Sequence, residues 1–262
     1  MNIIFYNSNH NGDIFMSKGF VQDIMNKTKY EMYTYIQPNS PRLLIDIPNL
    51  FHSIQVPDTD YYFQKEIIYQ DNDNIMINTW FNPNHENYYK YGGCTFLTLY
   101  HNFRVVYDFL GLEMESPIYY LPDYYPQYLL TDGIDKFFKE NENVWLVCNS
   151  IPRSGQSDLD TEDKWNHLIY QYLVQFPDIK IIHSHPVSFT APNLFYGKDI
   201  IKLSLPHIHN CDLPEYSYLS RFCNKIIHNE SSQGVFTYTK YNHNRKSNWE
   251  IHSKINNFFY GL

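Results

Sequence analysis

The sequence predicts an α/β protein built from two doubly wound domains that face a cleft. Three observations lead to this fold class. Short apolar strand-like segments alternate with amphipathic helical ones, polar segments follow several of the strands, and a segment rich in proline and tyrosine separates the two halves. A chain of 262 residues is long enough for two compact domains. We therefore expect an N-terminal domain over residues 1–130 and a C-terminal domain over residues 131–262.

The first half begins with a strand–helix–strand pattern. Ile3 to Asn7 is an apolar run that predicts a buried strand, and the apolar residues from Phe15 to Met25 recur at helical spacing. The alternating segment YEMYTYIQ then predicts a second strand. Further along, LLIDIP and SIQV predict short strands, Ile75 to Trp80 predicts another, and a long helix is expected to end at Gly111.

The second half alternates strands and helices more regularly. NVWLVCNS predicts a buried strand, and Thr161 is expected to cap the amphipathic helix that follows it. The segments DIKIIHS, DIIKLSL and NKIIHN predict strands, and LPEYSYLSRFC predicts a helix with Pro214 in its first turn. We expect ESSQGVFTYTK to turn into a helix and NWEIHSKINNFFYGL to form a closing helix.

Composition narrows the class of protein. A net charge of −8 argues against a protein-wide nucleic-acid surface. No apolar run reaches the length of about 18 residues that a membrane span needs, and the N-terminus lacks the pattern of a secretory signal. The four cysteines are scattered and form no CxxC pair, which favours reduced thiols and a cytoplasmic protein.

In open α/β sheets, ligands bind at the carboxyl ends of the strands, so the polar segments there form the candidate site. The segment NESSQGVF places Ser231, Ser232, Gln233 and Gly234 between a predicted strand and a helix. Small residues let backbone N–H groups approach an anion, and a helix N-terminus favours phosphate. The alternative is an ordinary serine-rich helix cap.

A second polar loop, IPRSGQSD, follows the strand that ends at Asn149. Arg153 supplies a cation whose planar fork can bond two oxygens of a diphosphate, and Ser154 and Gln156 supply further donors. The alternative is a solvated surface loop.

The segment DLPEY contributes two carboxylates, Asp212 and Glu215. A carboxylate in a nucleotide site can accept hydrogen bonds from ribose hydroxyls. Their spacing also resembles a capping box, and we favour helix capping for one of the two.

Two histidine pairs, HSH at His183 and His185 and HIH at His207 and His209, have a spacing that could serve a metal ion. Pro186 follows one pair and Pro206 precedes the other, which favours turns over strands. We therefore expect unliganded histidines at strand ends and no metal site.

The segment HNGDIF follows the first predicted strand, and its residues His10, Asn11 and Gly12 lead into Asp13. Asp13 can serve as the cap of a helix that begins near Phe15, or as a catalytic base. Gly12 lacks a Cβ atom, which would let the backbone turn sharply and an acceptor approach.

Three stretches, NHNGDIFMSKGFVQDI, NSIPRSGQSDLDTEDKWNHLI and CDLPEYSYLSRFCNKIIHNESSQGVF, resemble the GT-B glycosyltransferases, most nearly the heptosyltransferase-like family 9. The resemblance covers both halves, although the chain is short for two complete Rossmann-like domains and its late turn lacks the family's glycine-rich stretch. It implies a compact GT-B fold in which Asp13 is the catalytic base and His10, Asn11 and Gly12 lie on the acceptor side. The donor-binding residues that it implies, together with the two candidate ribose carboxylates, are Asn149, Arg153, Ser154, Gln156, Asp212, Glu215, Ser231, Ser232, Gln233 and Gly234.

The resemblance implies an inverting, metal-independent transfer of a sugar from a nucleotide-sugar to a glycan or other hydroxyl acceptor. The nucleotide-sugar is then a co-substrate, and no further cofactor is expected. Two alternatives stay open from the sequence. One is a non-catalytic protein of the same fold that binds a nucleotide or a glycan, and the other is a metal-dependent hydrolase built on the histidine pairs.

Overall fold

The computed structural model describes residues 1–7, 11–37, 40–53, 66–81, 83–151, 157–203, 212–230, 232–245 and 248–253. The chain divides into two compact units between Pro122 and Asp123. The predicted boundary, between residues 130 and 131, therefore lies inside unit 2. The segment after Pro122 is bonded to later parts of that unit, because Asp123 pairs with Arg221 and the Leu130 N–H donates to Glu215 over 3.3 Å.

Unit 1 contains a sheet with the strand order β3-β2-β1-β5-β4. Its strands are β1 (Asn2–Tyr6), β2 (Tyr33–Ile36), β3 (Leu50–Ser53), β4 (Ile68–Gln70) and β5 (Asn74–Asn78). Strand β1 pairs in parallel with β2 and β5, and β4 is antiparallel to β5 at the edge. The chain builds outward from β1 to β3 and then returns to the other side of β1. The topological switch point of unit 1 therefore lies between β1 and β5.

The described helices of unit 1 are α1 (Asn11–Lys27), α2 (Glu86–Lys90) and α3 (Phe96–Leu110), with 3-10 turns at Pro41–Leu44 and Pro117–Tyr120. Helix α3 ends, as predicted, at Gly111, which adopts the left-handed conformation with φ 66°. The core is aromatic: the Phe20 ring stacks on Phe103 at 4.3 Å and on Tyr120 at 4.5 Å between centroids. This stack packs α1 against α3.

Unit 2 contains a second sheet, with the order β10-β9-β6-β7-β8 and every pair parallel. Its strands are β6 (Val144–Cys148), β7 (Lys180–His183), β8 (Leu194–Tyr196), β9 (Lys225–His228) and β10 (Trp249–Ile251). The switch point of this sheet lies between β6 and β9. The predicted fold class, α/β with two bodies that each contain a parallel sheet, is confirmed.

The described helices of unit 2 are α4 (Asp132–Glu140), α5 (Glu162–Gln175), α6 (Gly197–Ile201), α7 (Leu213–Leu219), α8 (Ser232–Val235) and α9 (Lys240–His243), with 3-10 turns at Pro126–Tyr128 and Ser220–Phe222. Thr161 caps α5 as predicted, its hydroxyl accepting the Lys164 N–H over 3.3 Å. Trp165 and Ile169 of α5 pack on Val147 and Ile227 of the sheet, which covers one face of unit 2.

Three sequence predictions of secondary structure are wrong. The segment DIIKLSL, predicted as a strand, includes the end of helix α6, and the strand is β8 just before it. The start of NWEIHSKINNFFYGL forms strand β10, because Trp249–Ile251 pair in register with β9; residues 254–262 lie outside the described chain. LLIDIP forms no strand, and its first two residues are the end of the 3-10 turn Pro41–Leu44. Most of SIQV also falls outside the described residues.

Two further observations concern the helices and the cysteines. None of the helices in the described ranges is both long enough and apolar enough to cross a membrane. Cys94, Cys148 and Cys223 are free thiols, and Cys211 lies outside the described residues.

Candidate functional site

Four polar side chains meet at the switch point of unit 1. The Asn7 amide donates to Thr79 Oγ1 over 3.3 Å, and Thr79 Oγ1 lies 2.6 Å from the Tyr35 hydroxyl. The Tyr35 hydroxyl in turn lies 2.9 Å from Ser17 Oγ. All four side chains are buried. These side chains bond to one another and to nearby backbone carbonyls, and they tie α1 to the ends of β1, β2 and β5.

Asp13 lies in the first turn of α1, together with Asn11 and Gly12. The helix begins at Asn11 and not near Phe15, so Asp13 is inside the helix and not at the cap position that precedes it. Gly12 is helical as well, so the sharp turn expected there is not formed. His10 lies outside the described residues. The Asp13 side chain is 8% exposed, and the positive end of the helix dipole favours its negative charge.

The loop before α3 lies close enough to Asp13 to sense its charge. Burial raises the pKa of the Cys94 thiol, and the Asp13 carboxylate raises it further. Gly92 and Gly93 have φ angles of 87° and 83°, and the Tyr88 hydroxyl lies 3.6 Å from Cys94 Sγ. None of the sequence predictions above gave this loop a role. Its adjacent glycines, which favour left-handed backbone, were the available signal.

Asn149 ends β6 in unit 2 and holds the segment that follows β7. Its Oδ1 accepts the N–H groups of Ser184 at 3.0 Å and His185 at 2.8 Å. Its Nδ2 donates to the His185 carbonyl over 2.9 Å. These bonds occupy the amide that was predicted to contact a donor, so Asn149 positions its neighbours.

Asn229 follows β9 and bonds to both ends of the IPRSGQSD loop. Its Nδ2 donates to the carbonyls of Ser150 at 2.8 Å and Leu159 at 3.3 Å. Ser157 adds a third anchor, since its hydroxyl donates to the His252 carbonyl over 2.6 Å. The predicted donor-binding residues between these anchors, Arg153, Ser154 and Gln156, lie outside the described residues.

The SSQG turn is only partly described. Ser231 lies outside the described residues, and Ser232 begins the four-residue helix α8. A Cβ atom on Gly234 would lie 2.8 Å from the Cβ atom of His228, so this glycine is required for packing of α8 on β9. Gln233 is buried, and its Oε1 has no hydrogen-bond partner among the described residues.

His228 and Glu230 form a buried polar corner at the end of β9. Glu230 has a φ of 58°, which is unusual for a residue other than glycine, and its N–H donates to His228 Nδ1 over 3.0 Å. The Glu230 carboxylate accepts hydrogen bonds from Tyr238 and Ser253. Burial lowers the pKa of His228 to about 3, so its ring is neutral. Its Nε2 has no partner in the described part of the chain.

Asp212 and Glu215 take different environments. Asp212 occupies the cap position of α7 but makes no side-chain bond to the helix, and its buried Oδ2 has no hydrogen-bond partner among the described residues. Glu215 is fully buried, and its Oε1 accepts the Leu130 N–H. The capping alternative is therefore wrong for Asp212.

The first histidine pair does not form a metal centre with its described neighbours. His183 Nδ1 lies 2.7 Å from the His185 carbonyl, and its ring stacks on Tyr196 at 5.3 Å between centroids. Nowhere in the described ranges are three His, Cys, Asp or Glu side chains grouped to hold a metal ion. His207 and His209 lie outside those ranges.

Comparisons with known proteins give matches only among solved structures. No protein-family model matches the sequence, and no curated protein matches it. A glycosyl transferase family 9 structure from Veillonella parvula DSM 2008 is 12% identical and has a TM-score of 0.46, over 90% of this chain and 77% of that one. The ADP-heptose lps heptosyltransferase II of E. coli is 11% identical, with a TM-score of 0.39 over 88% and 80%.

Proposed function

We propose that this protein is a glycosyltransferase that moves a sugar from a nucleotide-sugar to a hydroxyl acceptor. One observation carries the proposal. Buried acceptor atoms without a partner among the described residues lie near the carboxyl edges of both sheets, and in unit 1 they are Asn11 Oδ1 and Gln37 Oε1. On the corresponding side of unit 2, Asp212 and Gln233 present buried acceptor atoms without a partner among the described residues. A buried acceptor without a donor is costly, and a bound ligand is one way to satisfy it.

The sequence resemblance makes unit 2 our candidate for the nucleotide-sugar site. Asp212 is the better candidate of the two carboxylates for the ribose hydroxyls, because an oxygen of Glu215 is already bonded to Leu130. Two segments would hold the diphosphate. The first segment contains Arg153, Ser154 and Gln156, and the second contains Ser231, Ser232 and Gln233. The sequence resemblance supports diphosphate binding by both segments. Gly234 contributes to the second segment by letting α8 pack on β9.

In unit 1 we assign the base to Asp13 and the acceptor side to His10, Asn11 and Gly12. The Asp13 carboxylate would take the proton of the acceptor hydroxyl as its oxygen attacks the anomeric carbon. The bond from that carbon to the diphosphate breaks with inversion, and the leaving group carries the electron pair. Arg153 and backbone N–H groups would stabilise the developing charge, so the mechanism needs no metal.

A ligand-binding screen, followed by substitution of the proposed catalytic base Asp13, tests this function. Among UDP-, GDP-, ADP- and CMP-sugars, at least one is expected to raise the melting temperature, because a ligand of the folded state stabilises it by mass action. With that donor, Asp13→Asn is expected to abolish transfer or slow donor hydrolysis while donor binding persists. The reaction is expected to continue in EDTA. No thermal shift with any sugar nucleotide, or full activity of Asp13→Asn, would contradict the proposal.

A further inference from the structure

His185, a half-buried residue just after β7, is held by several hydrogen bonds. Its N–H donates to Asn149 Oδ1 over 2.8 Å. Its carbonyl accepts Asn149 Nδ2 at 2.9 Å and lies 2.7 Å from His183 Nδ1. Its own Nδ1 lies 3.2 Å from Ser184 Oγ. Three side chains thus fix the backbone and the ring of one histidine at the carboxyl edge of the sheet.

The same contacts favour a proton on Nε2 of the His185 ring over one on Nδ1. Asn149 Oδ1 has two lone pairs, and the N–H groups of Ser184 and His185 occupy them at 3.0 and 2.8 Å. The Ser184 hydroxyl accepts the Asn149 N–H, and its hydrogen is within reach of Asn149 Oδ1 at 3.3 Å and of His185 Nδ1 at 3.2 Å. Because Asn149 Oδ1 already accepts two shorter bonds, we assign this hydrogen to His185 Nδ1. The proton of the neutral ring then resides on Nε2. Burial lowers the pKa of His185, which keeps the ring neutral near pH 7.

Tyr216 links Asp212 to the segment that carries His185. The Tyr216 hydroxyl donates to the Ser184 carbonyl over 3.4 Å, and the Tyr216 N–H donates to the Asp212 carbonyl over 3.0 Å. The first turn of α7 is therefore tethered to the edge that carries His185. The charge of Asp212 is close enough to act on the His185 ring. Asp212 itself is 7% exposed, and its Oδ2 has no partner among the described residues.

We propose that His185 is a further donor-binding residue, which together with Asp212 binds neighbouring hydroxyl groups of the nucleotide-sugar. The His185 Nε2–H donates to one hydroxyl oxygen, and the Asp212 carboxylate accepts the hydroxyl hydrogens. A donor beside an anionic acceptor matches a vicinal diol, whose oxygens accept while its hydrogens donate. The diol is either that of the ribose or one on the transferred sugar. This inference rests on the proposed function.

The test compares ligands that differ by one hydroxyl, by calorimetric titration. The nucleoside diphosphate or monophosphate selected by the thermal screen is titrated beside its 2′-deoxy and 3′-deoxy analogues and beside its nucleotide-sugar. Wild type is expected to bind a deoxy analogue about tenfold more weakly, the effect of one hydrogen bond of about 1.4 kcal/mol. His185→Phe keeps the ring shape but removes the donor, and is expected to bring this ratio close to one. His185→Gln, which restores an N–H near the Nε2 position, is expected to recover most of it.

Controls separate this effect from misfolding. His167→Phe makes the same exchange at an exposed histidine on α5, whose Nε2 contacts Gln171, and is expected to leave the ratio unchanged. Asp212→Asn is a second test that keeps the side-chain shape and is expected to weaken discrimination as well. Melting temperatures without ligand report on folding for each variant.

The outcomes show whether the diol belongs to the ribose or to the transferred sugar. They also separate a failure of the His185 inference from a failure of the proposed function. Loss of ribose discrimination in His185→Phe identifies the ribose. If discrimination is intact but the preference for nucleotide-sugar over nucleotide is lost, the diol belongs to the transferred sugar. If His185→Phe and Asp212→Asn change neither ratio, the inference about this pair is overturned while the proposed function stands. If wild type binds no nucleotide at all, the proposed function fails and the assignment of His185 fails with it.

Discussion

Asn149 and Asn229 follow neighbouring strands, β6 and β9, and both use the side-chain amide to hold a loop. Asn149 bonds to the backbone of Ser184 and His185, and Asn229 to the carbonyls of Ser150 and Leu159. An asparagine at a strand end is easily taken for a ligand contact. Here the geometry assigns these amides to the loops, because an amide has both donors and acceptors for backbone groups.

Replacing Asn229 by alanine tests the role of this amide in the IPRSGQSD loop. The variant removes two buried bonds to carbonyls, so we expect a loss of about 1–3 kcal/mol in the free energy of unfolding. Amide hydrogen exchange across residues 151–159 is expected to accelerate. Asn242→Ala is the matched control, because Asn242 is equally buried and donates to Ser220 Oγ at 2.7 Å and to the Thr237 carbonyl at 3.0 Å. Faster loop exchange in both variants would argue against a specific clamp.

The structure gives Gly234 a different role from the one that the sequence predicted. The sequence predicted a backbone that admits an anion, whereas the structure gives a packing reason: His228 Cβ lies 2.8 Å from the position of an added Cβ. Gly234→Ala is therefore expected to lower stability by about 1–3 kcal/mol through overcrowding. Gly111→Ala provides the contrast, because Gly111 has open space but a φ of 66°, and only about 1 kcal/mol is expected there. Urea unfolding measures both, and an unchanged stability of Gly234→Ala would contradict the packing argument.

At the scale of elements, a buried ion pair fastens α1 to the segment after the first 3-10 turn. Lys18 Nζ lies 2.9 Å from Asp46 Oδ2, and both side chains are almost fully removed from solvent. Lys18→Met leaves a buried carboxylate without its cation, so we expect a loss of about 3–5 kcal/mol. The double variant Lys18→Met, Asp46→Leu is expected to recover much of that loss. Chemical unfolding gives both values, and equal stability of wild type and Lys18→Met would show that the pair contributes little.

Elements with a local signal were predictable from the sequence. Thr161 caps α5 and Gly111 ends α3 because these residue types satisfy helix ends through short-range bonds. Strand β10 was not predictable in the same way. Trp249–Ile251 show no alternation of apolar and polar residues that would indicate a strand, and their pairing with β9 makes them one. The same limit applies to the site: the polar segments were visible, but which amides are already bonded depends on contacts distant in sequence.

At the scale of the whole molecule, several histidines share one electrostatic property. Burial lowers the pKa of His52, His101, His183, His185 and His228 below the usual value, and that of His228 to about 3. For each of them the folded state resists a proton that the unfolded chain accepts. Stability therefore increases with pH wherever the unfolded state binds more protons.

This linkage predicts how the free energy of unfolding decreases as the pH falls below 6.5. Above pH 6.5, the ordinary histidine value, these rings are neutral in both states and their contribution is fully present. As the pH falls from there toward 3, the unfolded chain gains protons that buried His228 cannot take, and each such ring contributes a slope of up to about 1.4 kcal/mol per pH unit. Urea unfolding between pH 4.5 and 8 measures the slope. His228→Phe removes the most strongly shifted ring and is expected to flatten it, even if the variant is less stable at every pH. A wild-type stability that does not change between pH 4.5 and 6.5 would contradict the assignment of buried neutral rings, because the described groups with a raised pKa are lysine, tyrosine and cysteine side chains, which titrate far above that window and cannot offset the loss.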